Sequence, residues 1–175
     1  MHFNSVLEIH SKNFMWKNIK GQSKAINTLK RIYENKRIAN AYIFYGPDGV
    51  GKDAAAIEFA KLINCENPIN GNEACDECKS CRQTSNLTSG IFKFITALPS
   101  PKTEKADSNP LAGLSKEDYD TFLEEINLKV QDPYHNINIP KANNIRIDSI
   151  KQIKHDIYLT SEQDKKKVFL ISKAD

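Results

Sequence analysis

Apolar positions along the chain fall into short blocks whose spacing switches between that of a helix and that of a strand. From Ser23 to Asn35, the residues Ile26, Leu29, Ile32 and Tyr33 recur at helical spacing, and Ser23 stands where an N-cap belongs. Ala41-Tyr42-Ile43-Phe44-Tyr45 is apolar throughout, too short for a helix, and bounded by Asn40 and Gly46-Pro47, which predicts a buried strand. Lys52 to Ile63 predicts a second helix. It is apolar nearly all round, from Ala54 through Phe59 to Ile63, and so demands burial. Ile91 to Thr96 predicts another strand. Ser115 opens a helix with Asp118 three residues on, as in a capping box, and Tyr119, Phe122, Leu123, Ile126 and Val130 form its apolar face. Asp132-Pro133 ends it. Asp148 is expected to cap a further helix with Ile150, Ile153, Ile157 and Tyr158 on one face, and Lys165-Lys166-Lys167 leads into a strand, Val168 to Ile171.

Strands alternating with helices predict an α/β fold with a parallel sheet. The chain stops just after a strand, where a doubly wound sheet normally continues, so the sequence is expected to be the front part of a longer protein. Residues 1–15 form a polar lead-in. Leu98 to Gly113 carries three of the seven prolines and no dense apolar pattern, which predicts a mobile stretch within a longer insertion, 98–141. No internal repeat is evident.

Composition narrows the class without changing it. Hydrophobic residues at 39% and charged residues at 27% are ordinary for a soluble domain. A net charge of +3 permits contact with nucleic acid without arguing for it, and Lys165, Lys166 and Lys167 read first as a solvated approach to a strand. No signal peptide and no membrane span is visible. The protein is expected in the cytoplasm, where thiols stay reduced and clustered cysteines point to metal.

The candidate chemistry begins with "GPDGVGKD", Gly46-Pro47-Asp48-Gly49-Val50-Gly51-Lys52-Asp53. It follows the pattern G-x-x-x-x-G-K-[ST] except at Asp53. In such a loop the glycines let backbone N–H groups turn inward on phosphate oxygens, and the following helix adds the positive end of its dipole. The lysine reaches the β- and γ-phosphates, and the next hydroxyl binds Mg²⁺. A carboxylate at Asp53 repels phosphate, although carboxylates can bind Mg²⁺. An active site also needs acidic residues after a second strand. In "KVFLISKAD", those positions fall at Ser172 and Lys173, and Asp175 lies too far along. Three altered positions together predict a site that keeps its shape and does not hydrolyse ATP; whether ATP or ADP still binds stays open.

Cys65, Cys75, Cys78 and Cys81 form a second constellation. Four sulfurs at this spacing predict one structural Zn²⁺ per chain, in a module spanning 64–83, pinned to the end of the second helix. An Fe–S cluster and free or redox-active thiols are the alternatives. Asp76, Glu77 and Lys79 are expected to be solvated loop residues.

A phosphate loop, one helix, then a four-cysteine module before the next strand is a specific order. Together with "IKGQSKAINTLKRIYENKRIANAYIFYGPDGVGK", "IRIDSIKQIK" and "KVFLISKAD", it resembles the bacterial DNA polymerase III clamp-loader subunits, which are AAA+ proteins. The resemblance implies a P-loop NTPase three-layer fold, truncated here, with residues 1–175 as the N-terminal part of the ATPase-like domain. It implies partners of the gamma/tau and delta types in a five-subunit ring, and a sliding clamp loaded onto primer–template DNA. With Asp53, Ser172 and Lys173 the chain looks like the non-hydrolysing delta prime type, a stator, rather than a gamma/tau motor. Asn40 stands where the family often has His, the His-Pro-Asp before the second strand is missing, and the insertion is long. The family's arginine finger and collar would lie beyond Asp175. Two other readings are an active gamma/tau-type motor with unusual Mg²⁺ ligands, and a phosphate-loop kinase with a zinc lid. The kinase lacks an arginine cluster, since Arg31, Arg37, Arg82 and Arg146 are scattered.

Overall fold

The computed structural model describes Trp16 and residues 19–101, 109–159 and 165–173. In chain order the elements are α1 (Ser23–Glu34), α2 (Lys52–Asn64), α3 (Lys79–Ser85), β1 (Phe92–Ile95), α4 (Lys116–Gln131), α5 (Ile147–Tyr158) and β2 (Val168–Ile171). The two strands pair in parallel, with Phe92 opposite Val168 and Ile95 opposite Ile171. A parallel pair needs a crossover, and here α4 and α5 lie within it.

Helix α2 organises the packing. One side carries Ile57 and Ala60 into a cluster with Leu87, Phe92, Phe94, Phe122 and Ile126. Another carries Ala54, Ala55, Phe59 and Leu62 into a cluster with Trp16, Ile19, Ile26 and Leu29. Small alanines on the second side let α1 approach closely, while Phe59 fills the gap and meets Tyr42 edge to face at 5.2 Å. At its C-terminal end, Asn64 clamps the approach to β2. Its Nδ2 donates to the Lys166 carbonyl at 2.7 Å, and its Oδ1 accepts from the Lys166 N–H at 2.8 Å.

Several expectations are corrected. Ala41–Tyr45 is not a strand: it has no ladder partner among the described residues, and Ile43 and Tyr45 are 93% and 97% exposed. Only Tyr42 and Phe44 turn inward onto the α1–α2 cluster. A lone segment cannot satisfy its own backbone as a sheet does, so an apolar run without neighbours stays outside the core. Ser23 does not cap α1; the N-cap position is Gln22, with no side-chain bond. Asp148 lies inside the first turn of α5 and receives a bond from Arg146 at 2.8 Å. Ser115 does cap α4, accepting from the Asp118 N–H at 3.2 Å. The buried stripe of α4 is rotated from the expected one: Phe122, Ile126 and Lys129 are buried, whereas Tyr119 and Leu123 are exposed. Helix α3 had no periodic signal, being about two turns long with Cys78 as its N-cap. Of the expected mobile stretch, Leu98 and Gly113 are buried against the core and residues 102–108 lie outside the described residues.

Among the described residues, no helix is long and apolar enough to cross a membrane. Because Leu62 is fully buried in the α1–α2 cluster, Leu62→Ala is expected to destabilise the fold by about 3 kcal/mol. The exposed Ile157 should change stability by less than about 0.5 kcal/mol on the same replacement. Urea unfolding followed by circular dichroism checks the contrast.

Candidate functional site

The glycine loop is shaped by backbone freedom at its two inner glycines. Gly49 and Gly51 sit at φ +75° and +86°, in the left-handed region that side chains resist. Gly51 forms the N-cap of α2, and no side chain caps that helix. The first-turn N–H groups therefore have no side-chain acceptor of the usual capping kind. Pro47, Asp48 and Gly49 are exposed at the turn, with Gly46 and Val50 half-buried beneath them. Lys52 does not reach outward. Its Nζ folds back across the loop, donating to the carbonyls of Gly46 at 2.7 Å and Pro47 at 2.9 Å, with Asp48 Oδ1 at 3.5 Å.

Asp53 occupies the first turn of α2, where a negative charge suits the helix dipole. Its Oδ2 receives the Lys129 ammonium at 2.8 Å and the Ser172 hydroxyl at 3.2 Å. Thus the fold does bring Asp53 and Ser172 together, from positions 119 residues apart. Lys173 is exposed at φ +54° and takes no part in this contact. Asp175 lies outside the described residues.

Two residues of this site were not legible as such. Lys129 comes from α4, is 3% exposed, and also donates to the His135 carbonyl at 2.7 Å. Its signal was present: Phe122, Ile126 and Lys129 follow the i, i+4, i+7 spacing of a buried stripe, which makes this lysine the one that needs a partner. Tyr134 lies on Gly51 so closely that an added Cβ there would meet the ring at 2.9 Å. Its hydroxyl accepts from the Lys20 N–H at 3.3 Å. Nothing in the periodicity marks Tyr134.

At the other end of α2, Cys65, Cys75, Cys78 and Cys81 bring their sulfurs within 4.8 Å of one another. Tetrahedral zinc with Zn–S near 2.3 Å requires sulfurs about 3.8 Å apart, so modest contraction brings this cluster to that geometry. Cys75 and Cys81 are already at 4.0 Å. The turn aims backbone donors at the sulfurs: Cys75 N–H to Cys65 Sγ at 3.3 Å, and Cys78 N–H to Cys75 Sγ at 3.3 Å. Burial opposes the Cys75 thiolate, but the N–H groups of Cys78 and Glu77 outweigh it and bring that thiol down to about 7. Burial raises Cys65 and Cys81. Four soft donors with N–H groups behind them can hold a metal ion such as zinc.

Beside the cysteines, Asp76 is not the solvated residue expected. Its side chain is 7% exposed and pairs with Lys61 at 2.8 Å, while Lys61 also meets Glu58 at 2.6 Å. Burial pushes Glu58 up to about 7, against the pull of Lys61. Burial opposes the Lys61 charge as well, but Glu58 and Asp76 overcome it and hold the ammonium protonated. This buried network ties the cysteine turn to α2. Glu77 is an exposed loop residue, as expected; Lys79 is exposed too, but it opens α3 rather than lying in a loop.

Comparisons with known proteins identify a family. The family model described as DNA polymerase III, delta subunit, matches residues 21–175. DNA polymerase III subunit tau of Bacillus subtilis is 39% identical over 72 residues, 41% of this chain and 12% of that protein. DNA polymerase III subunit delta' of Pseudomonas aeruginosa is 46% identical over 67 residues, 38% of this chain and 19% of that protein. Protein STICHEL of Arabidopsis thaliana is 31% identical over 87 residues, 50% of this chain and 7% of that protein. The matched stretch thus spans a small part of each relative. No solved structure matches the chain significantly. With a family match over most of its length, the chain belongs to the DNA polymerase III clamp-loader subunits.

Proposed function

We propose that this chain is a non-hydrolysing clamp-loader subunit, a stator of the delta prime type, acting in DNA replication. In this role it works in the cytoplasm, within a five-subunit ring of gamma/tau- and delta-type partners that places a sliding clamp on primer–template DNA. The observation that carries the reading is the Asp53 carboxylate in the hydroxyl position, engaged by Lys129 and Ser172. ATP hydrolysis at a phosphate loop needs a divalent cation and an acidic group beside the attacking water. Ser172 offers a hydroxyl there and Lys173 faces solvent. The glycine loop, Gly46 to Asp53, is then a scaffold that retains the backbone of a nucleotide site. The relatives named tau favour the second reading, an ATP-hydrolysing motor, and the same assay separates the two.

The four cysteines fit a structural Zn²⁺. Bound there, the ion would hold the 64–83 turn to the end of α2, where too little apolar surface exists to fold it alone. The remainder, including the 98–141 insertion, belongs to the ATPase-like domain.

Two outcomes are expected. In a reconstituted loader containing the full-length protein, Lys52→Ala should leave ATP turnover and clamp loading within about twofold of wild type, well under the loss of 3 kcal/mol or more that removing a catalytic group brings. Measurable turnover by the purified chain, abolished by that substitution, would establish the motor instead. Metal analysis should find one zinc per chain. Cys78→Ser should release it and lower the melting temperature by about 5–10 °C; a metal-free wild type of equal stability contradicts the zinc assignment.

A further inference from the structure

We propose that the insertion between β1 and α5 plugs the glycine loop from within the chain: α4 carries the Lys129 ammonium into the place of a nucleotide's divalent cation, and Tyr134 closes the adjoining face of Gly51. The inference rests on reading Gly46–Asp53 as a phosphate loop. It goes beyond loss of hydrolysis, because it assigns the cause of the closed site to particular residues outside the loop.

In a nucleotide-bound phosphate loop, the residue after the lysine gives an oxygen to Mg²⁺, and a group at the end of the second strand completes the cation's shell. The corresponding oxygens here are Asp53 Oδ2 and Ser172 Oγ, 3.2 Å apart. The cation held against Asp53 is an ammonium. Lys129 Nζ stands 2.8 Å from Asp53 Oδ2, takes the His135 carbonyl as a second acceptor at 2.7 Å, and lies 5.7 Å from the centre of the Phe94 ring. Two oxygen acceptors and an aromatic face satisfy a buried ammonium. The Lys129 charge balances the Asp53 carboxylate before any ligand arrives.

The Asp53 substitution thereby acquires a purpose. A serine or threonine there would leave the buried Lys129 without a counter-charge, which proteins rarely tolerate. Lys129 and Asp53 are each needed by the other, and Mg²⁺ would have to displace an ammonium already in contact. Tyr134 adds a steric element. Its ring touches Gly51 and its hydroxyl reaches the Lys20 N–H, so the ring bridges the loop and the segment before α1. With Lys52 folded onto the Gly46 and Pro47 carbonyls, the loop has internal partners for its lysine, its carboxylate and its glycine face.

The test uses the full chain and a fluorescent ATP analogue with Mg²⁺ or Mn²⁺. Wild type should show no saturable binding at millimolar concentration. Lys129→Met keeps the apolar stem over Phe94 and frees Asp53, and combined with Tyr134→Ala it should gain divalent-dependent binding at least about tenfold tighter, equivalent to 1.4 kcal/mol. A stability cycle gives a second readout that does not depend on nucleotide. Asp53→Ser should lower the melting temperature, and adding Lys129→Met should restore part of the loss because the unpaired ammonium is gone. Tight Mg²⁺–ATP binding by wild type, folded variants that gain no binding, or additive losses in the cycle would each overturn the plug. Silent variants alongside a wild type that neither binds nor hydrolyses ATP defeat the plug and leave the stator role standing. ATP turnover by wild type defeats the stator role itself.

Discussion

Helix α2 is buried at ten of its thirteen positions, and every neighbouring element answers that requirement. A helix without a polar face cannot sit at a surface, so it must be covered on all sides. Helix α1 and the segment at Trp16 and Ile19 cover one flank. Strand β1 and helix α4 cover another. The cysteine turn and α3 close the C-terminal end, where Trp16 also donates to the Asn72 carbonyl. The glycine loop and the cysteine cluster lie at opposite ends of the same rod. Their relative position is therefore set by a rigid element.

Burying a whole helix also buries its polar side chains, and each recruits a partner from a distant part of the chain. Lys61 joins Glu58 on its own helix to Asp76 of the cysteine turn. Asn64 meets the backbone of Lys166, just before β2. Asp53 meets Lys129 and Ser172. Such contacts add modest net stability, but breaking one side leaves an unpaired group whose desolvation is costly. They act as registry pins that fix how the cysteine turn, the β2 approach and the insertion dock on α2.

Much of this was legible in the order of residues. The apolar block from Ala54 to Ile63 forecast a buried helix, the cysteines forecast their own convergence, and Ser115 forecast its cap. Failures came where a local signal had to compete with tertiary context. Ala41–Tyr45 is apolar enough for a strand, but pairing requires neighbours that sequence order does not provide among the described residues. Ser23 and Asp148 have side chains suited to caps, yet the N-cap positions fall one and two residues earlier, at Gln22 and Arg146. Asp76 looked like an ordinary loop acid because its partner lies fifteen residues back on α2.

The sequence by itself determined the local chemistry: a glycine loop that only left-handed backbone can form, a carboxylate in place of a hydroxyl, and four thiols at metal-binding spacing. These are properties of residue type and short-range separation. Tertiary structure alone decided what the carboxylate does. Asp53 and Lys129 are 76 residues apart, and they meet because the apolar stripe of α4 packs on β1 and turns the lysine inward. Ion pairing in a buried site depends on which groups lose water together, and only the folded chain determines that.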